Sequence, residues 1–375
     1  MALRGLQEYA GGVFMIHPAT ATEIRLTTED GSVLGARIYA PAGPPRAVAV
    51  IHGGTAVPQT FYGRFAGYLA AAGIRVITYD YRGVGASRPR SLRGFSARMQ
   101  DWAMDARAAM ARAQEDGLPI LWIGHSFGGQ LLGLVEEAHT VAAAVLIGSQ
   151  LGYAGHWPAR LQPRIRLFWH LLVPVLTGAL GYYPGRAFIG EDLPAGVAQQ
   201  WRRWALHPSY YLSDQPQAQG HLARFDRPTL FYSFTDDDFA PERAVQTLLS
   251  RLSAAKILHR RLSPGELGVP AVGHFDAFRP RFEPTLWRET LGFLDHVLDG
   301  EPLPGALADA LTLARDRPGR NQGSQQCEEY GQSSEKKDIP ANKENTESKE
   351  NEEIDRFLYL RDARWELSFS AGRRS

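Results

Sequence analysis

Apolar positions along the chain follow two periods in turn. Residues 46–53, RAVAVIHG, form an almost unbroken apolar run, the pattern of a strand buried on both faces. Residues 61–73, FYGRFAGYLAAAG, switch to helical spacing and stop at a glycine. The alternation continues with strands over 74–83, 119–126 and 141–150 and helices over 96–115 and 128–139. After a long interruption a strand returns at 227–234, followed by a helix over 244–254, a strand over 256–263 and a helix over 284–298. Ahead of these, residues 22–29 and 33–40 read as a hairpin around Glu29-Asp30-Gly31. Strands alternating with helices predict an α/β fold, an eight-stranded mostly parallel sheet with helices on both faces.

This pattern divides the chain. An N-terminal extension covers 1–21, the first part of the core 22–150, a helical insertion 151–226, the second part of the core 227–300, and a tail 301–375. The tail differs in composition. Four of the five lysines, Lys336, Lys337, Lys343 and Lys349, fall within it, whereas the first 300 residues use arginine and Lys256 alone. Residues 319–353 hold only Tyr330 and Ile339 as large apolar groups, too little buried surface to offset ordering, so disorder is expected there. Residues 354–370 are apolar enough for a short strand or helix.

Charge narrows the partners. With 41 Lys+Arg against 40 Asp+Glu, the formal net charge of +1 lacks the basic excess of a dedicated nucleic-acid binder. The single cysteine, Cys327, excludes an internal disulfide framework and a cysteine-based zinc site. No metal and no cofactor are expected. The N-terminus lacks the apolar core and cleavage site of a secretory signal, so the default expectation is a cytoplasmic address.

Candidate chemistry gathers at strand ends. The strand over 119–126 runs into Gly124-His125-Ser126-Phe127-Gly128-Gly129, and helical spacing begins at once. G-x-S-x-G between a buried strand and a helix is a sharp turn that projects a serine hydroxyl at the sheet edge. Ser126 is the expected nucleophile. A serine needs a general base at neutral pH, and imidazole has the right pKa. His274, in VGHFDAF after the last strand and before the final helix, is the expected base; His125 is expected to point away from the pocket. A third group must orient the imidazole. The strand over 227–234 is followed by Asp236-Asp237-Asp238. Asp237 is the first choice and Asp236 the second, with Asp238 expected to cap the turn. The glycine-rich end of the strand over 46–53 offers an oxyanion donor at Gly54, or at Thr55 if the register shifts, with the amide of Phe127 as the second donor.

These segments together resemble the α/β-hydrolase superfamily, and within it the bacterial hydrolases related to serine aminopeptidases and monoacylglycerol lipases. The resemblance rests on TAVPQTFYGRFAGYLAAAG (55–73), YDYRGVGASRP (79–89), DWAMD (101–105), GHSFGG (124–129), FTDDDFAP (234–241) and GHFDAF (273–278), and spans 22–300. It implies the α/β-hydrolase fold, with a lid at the insertion, and an esterase-like or amidase-like serine hydrolase. Serine at 126, where a nucleophilic aspartate would stand, argues against haloalkane or epoxide chemistry.

The insertion carries four of the eight tryptophans, Trp157, Trp169, Trp201 and Trp204, which are expected to roof an apolar pocket. The expected reaction is cleavage of a small to medium apolar ester, or a thioester or amide, through an acyl-enzyme on Ser126. Acyl transfer on the same triad and a non-catalytic ligand-binding role are the alternatives. Residues 167–183 are the most apolar run, yet shorter than the ~20 residues of a membrane span and interrupted by Pro174. A buried or interfacial helix is expected there, with contact to a membrane surface the lesser reading. Oligomeric state is left open.

Overall fold

The computed structural model describes residues 21–187, 190–305 and 307–308. The N-terminal extension up to residue 20 and the tail beyond 308 lie outside the described residues.

Six strands come first: β1 (Ala21–Thr27), β2 (Val33–Tyr39), β3 (Ala47–His52), β4 (Ile74–Tyr79), β5 (Ile120–His125) and β6 (Ala143–Ile147). Two short strands, β7 (Tyr182–Tyr183) and β8 (Leu193–Pro194), pair with each other inside the insertion. The last two are β9 (Pro228–Phe234) and β10 (Lys256–Leu262). The main sheet has eight strands in the order β1-β2-β4-β3-β5-β6-β9-β10. β2 pairs antiparallel with β1 and β4; every other ladder is parallel. This is the α/β-hydrolase architecture that the sequence predicts.

Every residue of β3, β5 and β6 is buried, which is why these strands read as unbroken apolar runs. Successive side chains leave a strand on opposite faces. Val48, Val50 and Trp122 therefore pack with α2 (Asp101–Gln114), α3 (Phe127–Leu134) and α8 (Glu242–Arg251) on one face. Ala47, Ala49, Ile51, Leu121 and Ile123 pack with α1 (Gly63–Ala71) and α9 (Arg288–Asp299) on the other. Cutting one such side chain back to alanine costs about 2–5 kcal/mol in a core of this kind.

Several boundaries differ from the expected ones. β4 stops at Tyr79 because Asp80 opens a turn. Its carboxylate accepts the amides of Gln59 (2.7 Å) and Ala86 (2.8 Å) and the side-chain amide of Gln59 (2.9 Å). Arg82 in that turn bonds the buried Asp105 of α2 through both its main-chain amide and its guanidinium, each at 2.8 Å, and pairs with Asp30 of the hairpin at 2.6 Å. The segments YDYRGVGASRP and DWAMD thus meet as one buried ion-pair network. Burial still pushes the Asp105 carboxyl up to about 6 despite Arg82. The helix expected over 128–139 ends at Leu134, since Val135 is buried in an extended conformation before a 3₁₀ turn over Glu136–Thr140.

The insertion holds α4 (Gln162–Leu167), α5 (Val173–Leu180), α6 (Ala195–Leu206) and α7 (Gln217–Arg224). A π-helical turn, Phe168–Leu172, joins α4 to α5, and Gly181 at φ 77° ends the run. Among the described residues no helix is long and apolar enough to cross a membrane.

Candidate active site

The parallel strands all end on one edge, and β3 lies between β4 and β5. The chain leaves β3 for β4 on one side and later returns to β5 on the other. The two strand ends therefore frame a crevice, the position where open α/β sheets hold ligands. The turn after β3 and the turn after β5 face each other there.

Ser126 connects β5 to α3 at φ 52° and ψ −113°, a conformation strained for any residue with a side chain. Two hydrogen bonds hold it: its amide donates to Ile147 (2.9 Å) and its carbonyl accepts from Gly129 (3.1 Å). The elbow closes against β3 so tightly that a Cβ on Gly128 would overlap the carbonyl oxygen of His52. The indole of Trp122 donates to the Gly128 carbonyl at 3.1 Å. Ser126 is 8% exposed, at the N-terminus of α3 where the helix dipole favours negative charge.

Acid and base loops meet over this edge. His274 Nδ1 donates to Asp237 Oδ2 at 2.7 Å, with His274 7% and Asp237 4% exposed. The other Asp237 oxygen accepts the amides of Phe239 (2.8 Å) and Ala240 (2.9 Å). One residue thus both binds the imidazole and caps its own turn, which corrects the expectation that Asp238 is the cap. Asp238 is exposed; its carboxylate reaches Arg160 at 3.3 Å and its carbonyl accepts from the Trp157 indole at 2.8 Å. Asp236 accepts the amides of Val272 (2.8 Å) and Gly273 (3.1 Å), so it holds the base loop instead of the imidazole. The ring of Phe239 stacks on His274 at 5.3 Å. Ser126 Oγ and His274 make no direct hydrogen bond here; such contacts are often long before substrate binds.

The turn after β3 departs from expectation. The amide of Gly54, the first-choice oxyanion donor, is already paired: it donates to Tyr62 Oη at 2.8 Å. Among the described residues the amides of Thr55 and Phe127 have no protein partner. Of the two amides expected as alternatives at this turn, that of Gly54 is paired and that of Thr55 is free. Ala56 next to it is buried at φ 62°, an unusual conformation for alanine. Its carbonyl accepts the amide of Glu191 from the insertion at 2.8 Å, and the Gly53 carbonyl accepts from Tyr81 Oη at 2.9 Å.

Two residues of the site had no mark in the sequence analysis. Gly148, after β6, sits at φ 60°, and a Cβ there would approach His274 Nδ1 to 3.2 Å and Asp237 Oδ2 to 3.3 Å. Tyr62 is the second. Its phenol also bonds His125 Nδ1 at 2.8 Å, and His125 Nε2 bonds the main-chain carbonyl of His274 at 2.9 Å. His125 is fully buried, and its pKa lies well below the ordinary 6.5 because burial disfavours the charged ring.

The tryptophans of the insertion mostly serve packing. Trp204 is fully buried, with its indole bonded to Asp214 at 2.9 Å. Trp169 is buried, with its ring against Trp201 at 5.0 Å. Trp157 fastens the insertion to the acid loop, as described above.

With this sheet, elbow and arrangement of loops, the chain has the α/β-hydrolase fold. Residues 43–183 match the model of the serine aminopeptidase S33 family. Among solved structures the chain is similar to a soluble variant of monoglyceride lipase from Saccharomyces cerevisiae in complex with a substrate analogue. That likeness has a TM-score of 0.55 and 14% identity, over 77% of this chain and 99% of the other. It is also similar to the α/β-hydrolase GrgF from Penicillium sp. sh18, with a TM-score of 0.50 and 21% identity, over 74% of this chain and 99% of the other. No curated protein sequence matches the chain.

Proposed function

We propose that the protein is a serine hydrolase that cleaves an ester of small to medium apolar character through an acyl-enzyme on Ser126. The observation that carries this reading is a strained serine at the sheet edge beside a buried, hydrogen-bonded His274–Asp237 pair. His274 Nε2 accepts the Ser126 proton as Oγ attacks the ester carbonyl, and returns it to the leaving alcohol. Asp237 stays ionised and stabilises the imidazolium. The amides of Phe127 and Thr55 receive the oxyanion, aided by the N-terminus of α3. Water then attacks the acyl-enzyme by the same route, releasing acid and free Ser126. The ring of Phe239, 37% exposed and stacked on His274, offers an apolar surface beside the reacting atoms and supports an apolar substrate.

Labelling with a fluorophosphonate probe tests the nucleophile. Wild type should be labelled and Ser126→Ala should not, with both melting alike. An unlabelled, folded wild type refutes the reading. A panel of acyl esters tests the substrate. kcat/KM should rise with chain length by about 0.8 kcal/mol per buried methylene until the pocket is full. A flat profile, or a preference for charged or peptide substrates, refutes the apolar assignment.

A further inference from the structure

We propose that Tyr62 and His125 are positioning residues that hold the turn after β3 and the base loop at a fixed separation on either side of Ser126. This rests on the serine-hydrolase reading and adds to it two side chains that touch neither substrate nor the reacting atoms.

Three hydrogen bonds join the parts in series. They run from the Gly54 amide to Tyr62 Oη (2.8 Å), from Tyr62 Oη to His125 Nδ1 (2.8 Å), and from His125 Nε2 to the His274 carbonyl (2.9 Å). Their direction is forced. The Gly54 amide can only donate, so Tyr62 Oη accepts from it and spends its single proton on His125 Nδ1. His125 then carries its proton on Nε2, and the His274 carbonyl, which can only accept, receives it. No link can reverse without leaving a buried group unpaired.

The surroundings keep the series intact. Tyr62 and His125 are both at most 1% exposed, so water cannot replace a lost partner. Burial also holds both rings in their neutral forms, raising the phenol pKa and lowering that of the imidazole. Phe278 packs edge-on against both rings, at 4.9 Å from Tyr62 and 5.0 Å from His125, and fixes their planes. Gly54 immediately precedes the free amide of Thr55, and His125 immediately precedes Ser126. The series thus passes through the neighbours of the oxyanion donor and of the nucleophile and ends on the main chain of the base. A small displacement of such groups is enough to cost about 100-fold in rate.

The test uses the full chain and begins with the same fluorophosphonate labelling of wild type. Tyr62→Phe removes one hydroxyl and keeps the ring; His125→Phe keeps a ring and removes both polar nitrogens. Each should lower kcat about 10- to 100-fold while KM stays within about threefold. The double variant should be no slower than the slower single, because either change already breaks the series. Nitrogen-detected NMR of His125 gives a readout independent of turnover, and should show the Nε2–H tautomer in wild type at pH 7. Labelled wild type with single variants of unchanged kcat, losses that multiply in the double variant, or an Nδ1–H tautomer would each overturn the proposal. An unlabelled wild type overturns the hydrolase reading itself and this inference with it. Should His125→Phe fail to fold, Tyr62→Phe and the tautomer still decide.

Discussion

His274 and Asp237 share a 2.7 Å hydrogen bond so close to Gly148 that a Cβ there would lie 3.2 Å from Nδ1 and 3.3 Å from Oδ2, a tight fit. The closeness of this third chain segment makes the pair a property of three loops, not two.

Gly148→Ala should therefore act as a site variant although position 148 contributes no side chain. The new Cβ meets both partners near 3.2 Å, and φ 60° is unfavourable for alanine. A fall in kcat of about 10- to 100-fold is expected, with a destabilisation of about 1 kcal/mol or more. Ester turnover and thermal melting of the purified variant measure both; unchanged turnover would show that the pair tolerates displacement.

The three consecutive aspartates should separate cleanly. Asp237→Asn presents the imidazole with the wrong hydrogen-bond partner and should reduce kcat by about 10³- to 10⁴-fold. Asp236→Asn loosens the two amides that shape the base loop and should cost less, about tenfold. Asp238→Asn loses only an exposed pair with Arg160 and should leave turnover near wild type. Steady-state kinetics of the three single variants provide the ranking, and an Asp236 variant slower than the Asp237 variant would contradict it.

Acid should unfold the protein through buried histidines. His52 is held at about 3 and His259 at about 4, both below the ordinary 6.5 chiefly by burial, and His125 is lowered likewise. The unfolded chain binds these protons at higher pH than the folded one. Their contribution to stability is therefore complete above about pH 6.5 and is lost as pH falls toward 4 and below, by up to about 1.4 kcal/mol per unit and per histidine. Asp105 works in the opposite sense: its raised pKa favours the folded state below about 3.8, an advantage lost as pH rises through about 6. Burial also lowers His156 and raises Asp80; four lowered histidines outweigh two raised carboxyls, so denaturant midpoints should drop between pH 6.5 and 4. A flat or rising midpoint over that range would contradict the balance.

The sheet was legible because its central strands are buried on both faces and so print continuous apolar runs. The elbow was legible because glycines and a serine interrupt such a run immediately before a helical pattern. The glycine-rich turn after β3 was legible only as a region. Which of its amides is free depends on the Tyr62 hydroxyl, eight residues further on in a different element, and no local pattern encodes that hydrogen bond. Gly148 was missed for a related reason: its constraint comes from two side chains more than eighty residues away. The tryptophans of the insertion misled because aromatic content reports that a surface is buried and says nothing of what covers it. The Trp204 indole bonds the exposed Asp214 and that of Trp157 the Asp238 carbonyl.

The strand order carries a consequence for the birth of the chain. Ser126 and its elbow lie in the first half, yet the edge that receives His274 is finished only when β9 and β10 have added to β6. At about 5–20 residues per second, a ribosome needs about 7 to 30 s to pass from the serine to the histidine. During that interval the nascent protein carries Ser126 without His274. Any product that terminates before the last loop lacks the His274–Asp237 pair altogether, so the three-loop arrangement is complete only with the closing of the sheet.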